Sequence, residues 1–358
     1  MSDTENRDVV VLRKKISDLN MKLLDLLSQR AQLVIKMAAI KRRDRLDLFS
    51  PSREREMIQA LLQANRGPFS NETVVDLFKH IFDVSLQLMR GSNGSGLEIT
   101  SRFDLPPITV PAGDVEFGKK PVLIAGPCSV ESEEQIDQIA KDLAARGVRV
   151  LRGGTFKMRT SPYSFQGLGN EGVRFLGEAA KRYGMASITE VNAIHQLDIC
   201  VKHVDMLQIG TRSMSNFELL QAAGQTGLPI LLKRGFAATL EEFELAAEYI
   251  YKTGNQRIVL CERGIRTFNS ETRFTLDISA VPLLKLRTRL PVTVDVSHAA
   301  GRRIIIPALA RAALAAGADG LMVEVHPQPH LAHSDGKQQL DIELFDAMMV
   351  GLKPWFGD

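Results

Sequence analysis

The chain has 358 residues, too many for one ordinary domain of about 100–200 residues and few for three, so it divides into two domains or one large α/β barrel with an appendage. Hydrophobic residues make up 44% and charged residues 24%, which excludes disordered, collagen-like and mucin-like classes and supplies ample material for a core. A net charge of +3 spread over 45 basic and 42 acidic residues, with no long basic run, argues against nucleic acid as a partner and leaves small anions open.

No apolar run approaches the roughly 18 residues a membrane span needs, and the polar amino terminus MSDTENRD is no signal peptide, so no membrane partner and a cytoplasmic location are expected. The three cysteines, Cys128, Cys200 and Cys261, are odd in number and argue against a disulfide framework.

From Val9 to Ile40 an apolar seam (Val9, Leu12, Ile16, Leu19, Leu23, Leu26, Leu33, Met37, Ile40) follows 3-4 spacing and predicts one long helix. At about 1.5 Å per residue it extends roughly 50 Å, too long to be satisfied by one small domain, so partner helices of a second chain are expected. Ser50 with Pro51 predicts the start of a second helix that stops near Gly67-Pro68, and a third runs from after Ser70 to about Met89. The Gly/Ser-rich GSNGSG begins a linker over 91–104.

Beyond it, eight β-branched runs recur: 122–129, 148–154, 186–191, 206–210, 229–235, 258–264, 291–298 and 320–326. They alternate with helical stretches such as Glu133–Arg146, Leu240–Lys252 and Arg302–Ala316, which implies a parallel sheet buried on both faces. Eight units in about 240 residues match a closed (β/α)8 TIM barrel, giving an α/β chain with a separate amino-terminal all-α domain. An open doubly wound sheet is the alternative, but GPCS after the first strand is no GxGxxG.

Chemistry in such a barrel gathers at the carboxyl ends of the strands. In strand order these hold Cys128; Arg152, Lys157 and Arg159; Glu190; Arg212; Lys233 and Arg234; Glu262 and Arg263; Asp295 and His298; Glu324 and His326. Six or more cations at one mouth repel one another unless anions neutralise them, so the site is built for phosphate or carboxylate groups. Cys128, His298, Glu324 and Asp335 form a mixed thiol, imidazole and carboxylate set that suits manganese, iron, cobalt or zinc better than magnesium or calcium. His326, His330 and His333 compete for the ligand role; His298 ranks above them because it closes a strand after an alternating DVSH segment. Cys128 as an inert core thiol is the plainer alternative, and Cys200 and Cys261 are read that way. Lys233 also permits a Schiff-base aldolase.

Residues 105–358 resemble 3-deoxy-D-arabino-heptulosonate 7-phosphate (DAHP) synthases. The motifs AGPCS, LRGGTFKMRTSP, QIGTR, LLKRG, CERG, DVSH and MVEVHP followed by SDG occur in the family's order. The resemblance implies condensation of phosphoenolpyruvate with erythrose 4-phosphate, the first step of the shikimate pathway. It implies a divalent metal, manganese first, on Cys128, His298, Glu324 and Asp335. Arg152, Lys157, Arg212, Lys233 and Arg263 are implied to hold phosphoenolpyruvate, and Arg159, Thr160 and Ser161 the phosphate of the second substrate. Catalytic roles fall to Lys157, Lys233 and His298. The related synthase that uses arabinose 5-phosphate is the nearest alternative, disfavoured by the FKMRTSP loop. Met158 departs from the family's proline and frees that loop's backbone.

Residues 1–90 resemble the all-helical chorismate mutases, through Arg13, Arg30, Lys41, Arg53 and Glu54. Arg30 and Lys41 are 11 residues apart, about three turns, and so share a helix face, whereas Arg13 lies 17 residues before Arg30 and reaches such a site only from a partner chain, as in the family. Ordinary salt bridges with Asp18, Asp25 or Glu54 are the plainer reading of these arginines. Ser50 and Met89 replace the family's aspartate and glutamine. Losing the glutamine removes a donor to the breaking C–O bond, so the domain is expected to bind chorismate or prephenate for feedback control with weak or no mutase activity. A homodimer or homotetramer is expected.

Overall fold

The structure is a computed structural model that describes residues 7–44, 46–90, 97–100, 105–159 and 161–356. It divides into two compact units, Met1–Gly96 and Leu97–Asp358.

Among the described residues the first unit holds three helices: α1 (Arg7–Arg43), α2 (Pro51–Ala64) and α3 (Asn71–Arg90). Ser50 caps α2 by accepting the Arg53 N–H, and Pro51 fills the first position, where no N–H is missed. Among the described residues of α1, the buried side chains lie in its carboxyl-terminal part: Val34 and Ala38 pack with Met89 of α3. Upstream, Leu12, Leu19 and Leu26 of the apolar seam stay exposed.

The second unit is a closed parallel barrel of eight strands, β3 to β10, preceded by an antiparallel hairpin of β1 (Val110–Ala112) and β2 (Val115–Phe117). The barrel strands are β3 (Val122–Gly126), β4 (Val150–Arg152), β5 (Ala186–Val191), β6 (Met206–Ile209), β7 (Ile230–Lys233), β8 (Ile258–Glu262), β9 (Val292–Asp295) and β10 (Gly320–Glu324). β10 closes the ring on β3 in parallel register, Glu324 opposite Gly126. The surrounding helices are α4 (Glu133–Ala144), α5 (Asn170–Arg182), α6 (Leu197–His203), α7 (Phe217–Gln225), α8 (Leu240–Tyr251), α9 (Ala280–Arg287), α10 (Val296–Ala300), α11 (Ile306–Ala315) and α12 (Ile342–Val350).

Period-two alternation sorts each strand. Leu123, Leu151, Leu207, Leu232, Leu260 and Val323 join the outer core beneath the helices. Ile124, Val150, Ile188, Met206, Leu231, Val259 and Met322 fill the barrel interior, where Val110, Ala112 and Phe117 of the hairpin join them. The same alternation carries Arg152, Glu190, Lys233, Asp295 and Glu324 inward at the carboxyl ends, above that apolar plug.

Three sequence expectations need correction. Residues 97–100, assigned to the linker by composition, pack on the barrel: Ile99 is fully buried and the Glu98 and Ile99 N–H groups donate to the Glu248 carboxylate. Residues 91–96 and 101–104 of that linker lie outside the described residues. The stretch expected as one helix over Arg302–Ala316 begins instead as a 3-10 turn, Arg303–Ile305, with Pro307 in the first turn of α11. His298 does not close a strand; it lies in α10, because Asp295 ends β9 and caps the helix through the His298 N–H at 3.0 Å.

Candidate active site

The backbone at the strand ends is shaped by glycines where nothing larger fits. A Cβ on Gly126, which has φ +147°, falls 2.0 Å from the Arg152 carbonyl oxygen. One on Gly154 meets the Cys128 carbonyl at 2.7 Å and the Lys157 side chain at 2.8 Å, so this glycine lets Lys157 reach Cys128. The Lys157 ammonium donates to the Cys128 carbonyl at 2.9 Å and lies 3.2 Å from its Sγ.

Cys128, His298, Glu324 and Asp335 come together: one ligand atom from each lies within 4.8 Å of the others, and among the described residues they are the group able to hold a metal ion. Cys128 Sγ is 3.6 Å from Asp335 Oδ2, and His298 Nε2 is 3.5 Å from Glu324 Oε1 and 3.7 Å from Asp335 Oδ2. His298 Nδ1 donates to Asp295 Oδ2 at 2.7 Å, which turns the Nε2 lone pair into the cluster. Burial pushes the Cys128 thiol up to about 12, with the nearby Glu324 carboxylate adding to it, so the thiolate needs a cation beside it. Burial pushes Glu324 and Asp335 up as well, but His298 with Arg152 for the first and with Arg273 for the second hold both below the usual carboxylate range. Burial lowers His298 from its ordinary value, against the pull of the Asp295 and Glu324 carboxylates. A thiol, an imidazole and two carboxylates fit a divalent transition metal. His326, His330 and His333 stand outside this group: His326 accepts from the Gln328 N–H and faces Glu131 at 3.4 Å, His330 is exposed, and the His333 ring packs edge-on against Phe165.

Beside the four residues opens a cavity of about 420 Å³ lined by seven basic side chains, Lys157, Arg159, Arg212, Lys233, Arg263, Arg266 and Arg273, against two acids, Glu190 and Asp335. Met158 and Ser161 also line it, while Thr160 lies outside the described residues. Lys233 is buried and ion-paired to Asp295, which burial pushes up but His298 and Lys233 hold well down. Arg263 is 3% exposed, has no carboxylate partner among the described residues, and its Nε makes no hydrogen bond. Burial pulls it down to about 10. It rests instead on aromatic faces, 3.9 Å from the Phe274 ring centre and 5.2 Å from that of Phe236, with Arg212 and Arg266 also over Phe236.

Two strand-end cations are ion-paired to buried carboxylates. Arg152 donates to Glu324 Oε1 at 2.8 Å and to the Pro127 carbonyl, and does not line the cavity. Arg234 bonds Glu262 at 2.9 Å and Asp277 at 2.8 Å, a buried structural network. Arg266, Arg273, Phe236 and Phe274 complete the cavity wall, and of these the sequence signals only Arg266, through the arginines of CERGIR.

Residues 106–354 match the DAHP synthetase I family. The chain belongs to that family. Residues 12–90 match chorismate mutase type II, so the DAHP synthase barrel carries a mutase-type domain ahead of it. A phospho-2-dehydro-3-deoxyheptonate aldolase from Thermotoga maritima is 51% identical over 71% of this chain and 76% of its own. A crystal structure of the T. maritima DAHP synthase superposes with a TM-score of 0.69 at 49% identity, covering 72% of this chain and 75% of that one. A 2-dehydro-3-deoxyphosphooctonate aldolase from Koribacter versatilis is 33% identical over 67% of this chain and 92% of its own. This DAHP synthase homologue has no helix among its described residues long and apolar enough to cross a membrane.

In its mutase-type domain, Arg30 donates to Ser85 of α3 and lies 5.5 Å from the Phe82 ring centre. Lys41 donates to the Asp47 and Leu48 carbonyls at 2.9 and 3.1 Å. Arg53 pairs with Glu56 at 3.0 Å on the exposed side of α2, Glu54 is half-buried there, and Arg13 is exposed on α1. Asp25 accepts from Gln29 at 2.8 Å.

Proposed function

We propose that the barrel condenses phosphoenolpyruvate with D-erythrose 4-phosphate and water to give DAHP and phosphate. The observation that carries this reading is the cation-lined cavity whose wall includes His298 and Asp335, two of the four residues whose ligand atoms converge. Cys128, His298, Glu324 and Asp335 hold a divalent metal, manganese first, which when bound supplies Lewis-acid polarisation of the sugar aldehyde. Arg212, Lys233 and Arg263 bind the phosphate and carboxylate of phosphoenolpyruvate, and Arg263, buried without an acid, gains most from an anion. Arg159, Thr160 and Ser161 take the phosphate of the second substrate. Lys157 joins phosphoenolpyruvate and gives a proton to the oxygen that becomes a hydroxyl, a role supported by its ammonium lying beside Cys128. Arg152 acts from behind by fixing Glu324.

Lys233 serves as an anion ligand rather than a Schiff-base nucleophile, since an ammonium ion-paired to a buried carboxylate is not a free amine. Supplying erythrose 4-phosphate or arabinose 5-phosphate with phosphoenolpyruvate and following phosphate release tests the substrate. Turnover is expected with the four-carbon sugar, and equal turnover with arabinose 5-phosphate overturns the assignment.

We further infer that the helical domain binds chorismate or prephenate through Arg30, Lys41, Arg53, Glu54 and a partner chain's copy of Arg13, and acts in feedback. Leu12, Leu19 and Leu26, exposed along α1, support a dimer through that helix. Sedimentation of the full chain at micromolar concentration as a monomer contradicts the dimer.

A further inference from the structure

Gln339 does not belong to any set assigned so far, yet it touches the backbone of one ligand position, Cys128, and of the residue just before another, Asp335. Gln339 is wholly buried. Its Oε1 accepts the Cys128 backbone N–H at 2.8 Å, and its Nε2 donates to the Ser334 carbonyl at 2.8 Å. One amide thus ties the backbone of one ligand to the residue just before another, Asp335, across more than 200 positions of sequence.

Asp335 needs such a tether. It is the one non-glycine among the described residues with positive φ, at 48°, a conformation that costs energy unless its surroundings impose it. A second strut is parallel to the first: the Ser129 and Ser334 hydroxyls are 2.6 Å apart. Gln338 performs the matching task on the third ligand, donating to Glu324 Oε2 at 2.6 Å while accepting from Arg273 at 2.8 Å. Arg273 in turn donates to Asp335 Oδ2 at 3.0 Å.

We propose that Gln339 is a positioning residue of the metal centre, setting the separation of Cys128 and Asp335 before any ion arrives. The proposal rests on the metal reading above. Both hydrogen-bonding ends of the amide are engaged, so a side chain of equal length without polar atoms leaves the Cys128 N–H and the Ser334 carbonyl unpaired. The loop is then free to carry Asp335 away from Cys128, and a ligand set that must first be assembled binds its ion more weakly than one already in place.

Cobalt(II) titration of the metal-stripped full-length chain tests this, read by affinity and by the sulfur-to-cobalt charge-transfer absorption that only a Cys128 ligand produces. Gln339→Met is expected to weaken cobalt binding about ten- to a hundredfold and to diminish that absorption at saturation. Gln339→Asn, one methylene shorter and able to reach one partner only, serves if the methionine variant does not fold and is expected to lie between. Ile139→Val, a core truncation in α4, controls for lost stability and is expected to bind as the wild type does. No charge-transfer absorption in the wild type removes the metal centre itself, and the proposal with it. Absorption in the wild type with equal affinity and intensity in both Gln339 variants, or weakening no greater than in Ile139→Val, overturns the proposal alone.

Discussion

Replacing Asp295 with asparagine separates the charge of this buried carboxylate from its shape. Asp295 is fully buried, accepts from His298 Nδ1 at 2.7 Å and from the His298 N–H at 3.0 Å, and is ion-paired to Lys233, itself 4% exposed. Asparagine keeps one acceptor but leaves the Lys233 ammonium uncompensated in the barrel interior. Removing one partner of a buried pair costs about 3–5 kcal/mol, and the retained acceptor places the loss near about 3. For a unit of this size that is a fall in melting temperature of about 6–12 °C. The lost hydrogen bond also frees the His298 tautomer, so manganese affinity is expected to fall about ten- to a hundredfold. Thermal melts of the metal-stripped full chain at pH 7, with calorimetric manganese titration, read both effects. A melt within about 1 °C of wild type together with unchanged manganese affinity refutes the reasoning.

Asp277→Asn probes pH. Burial pushes Asp277 up, but its bonds from Arg234 and Ser279 hold it below its unfolded value, so its contribution is complete above about pH 4 and is lost as pH falls through the depressed folded value. A deficit of about 1–2 kcal/mol at pH 7 should therefore shrink toward zero in acid, and denaturation curves with a constant deficit argue against the pairing. Phe117→Ala empties the space that the hairpin fills below the barrel interior and should cost about 3–5 kcal/mol with little change in KM; a cost under about 1 kcal/mol contradicts the packing role. Met89→Gln restores a donor beside Val34 and Ala38, and mutase turnover of the full chain should rise at least about tenfold. An unchanged rate means that Met89 is not what limits the reaction.

The eight barrel strands were legible because strands buried on both faces read as short apolar runs, and a charge that ends such a run has few places to be but the mouth. Cys128, His298, Glu324 and Asp335 could be grouped by chemistry alone, though His298 was placed on a strand because the valine alternation of VTVDV outweighed the capping aspartate. The hairpin leaves no mark in the sequence: two three-residue strands, one containing Pro111, are too short to show a period. Partnerships were invisible for a related reason. The sequence displays Arg152, Arg234 and Glu262 as charges at strand ends, but only packing distinguishes those that neutralise one another from Arg263, which stacks on Phe274 and meets no acid. Gln338 and Gln339 stand in a polar loop without periodicity, and their importance comes from what the fold sets opposite them.

Stripping the full chain with a chelator and assaying phosphoenolpyruvate consumption with erythrose 4-phosphate, before and after adding manganese, tests the central claim most directly. Activity is expected to be lost on chelation, restored by manganese in the wild type, and not restored in Cys128→Ala, which still folds. Turnover that survives complete removal of the metal, or that manganese restores equally in Cys128→Ala, contradicts it.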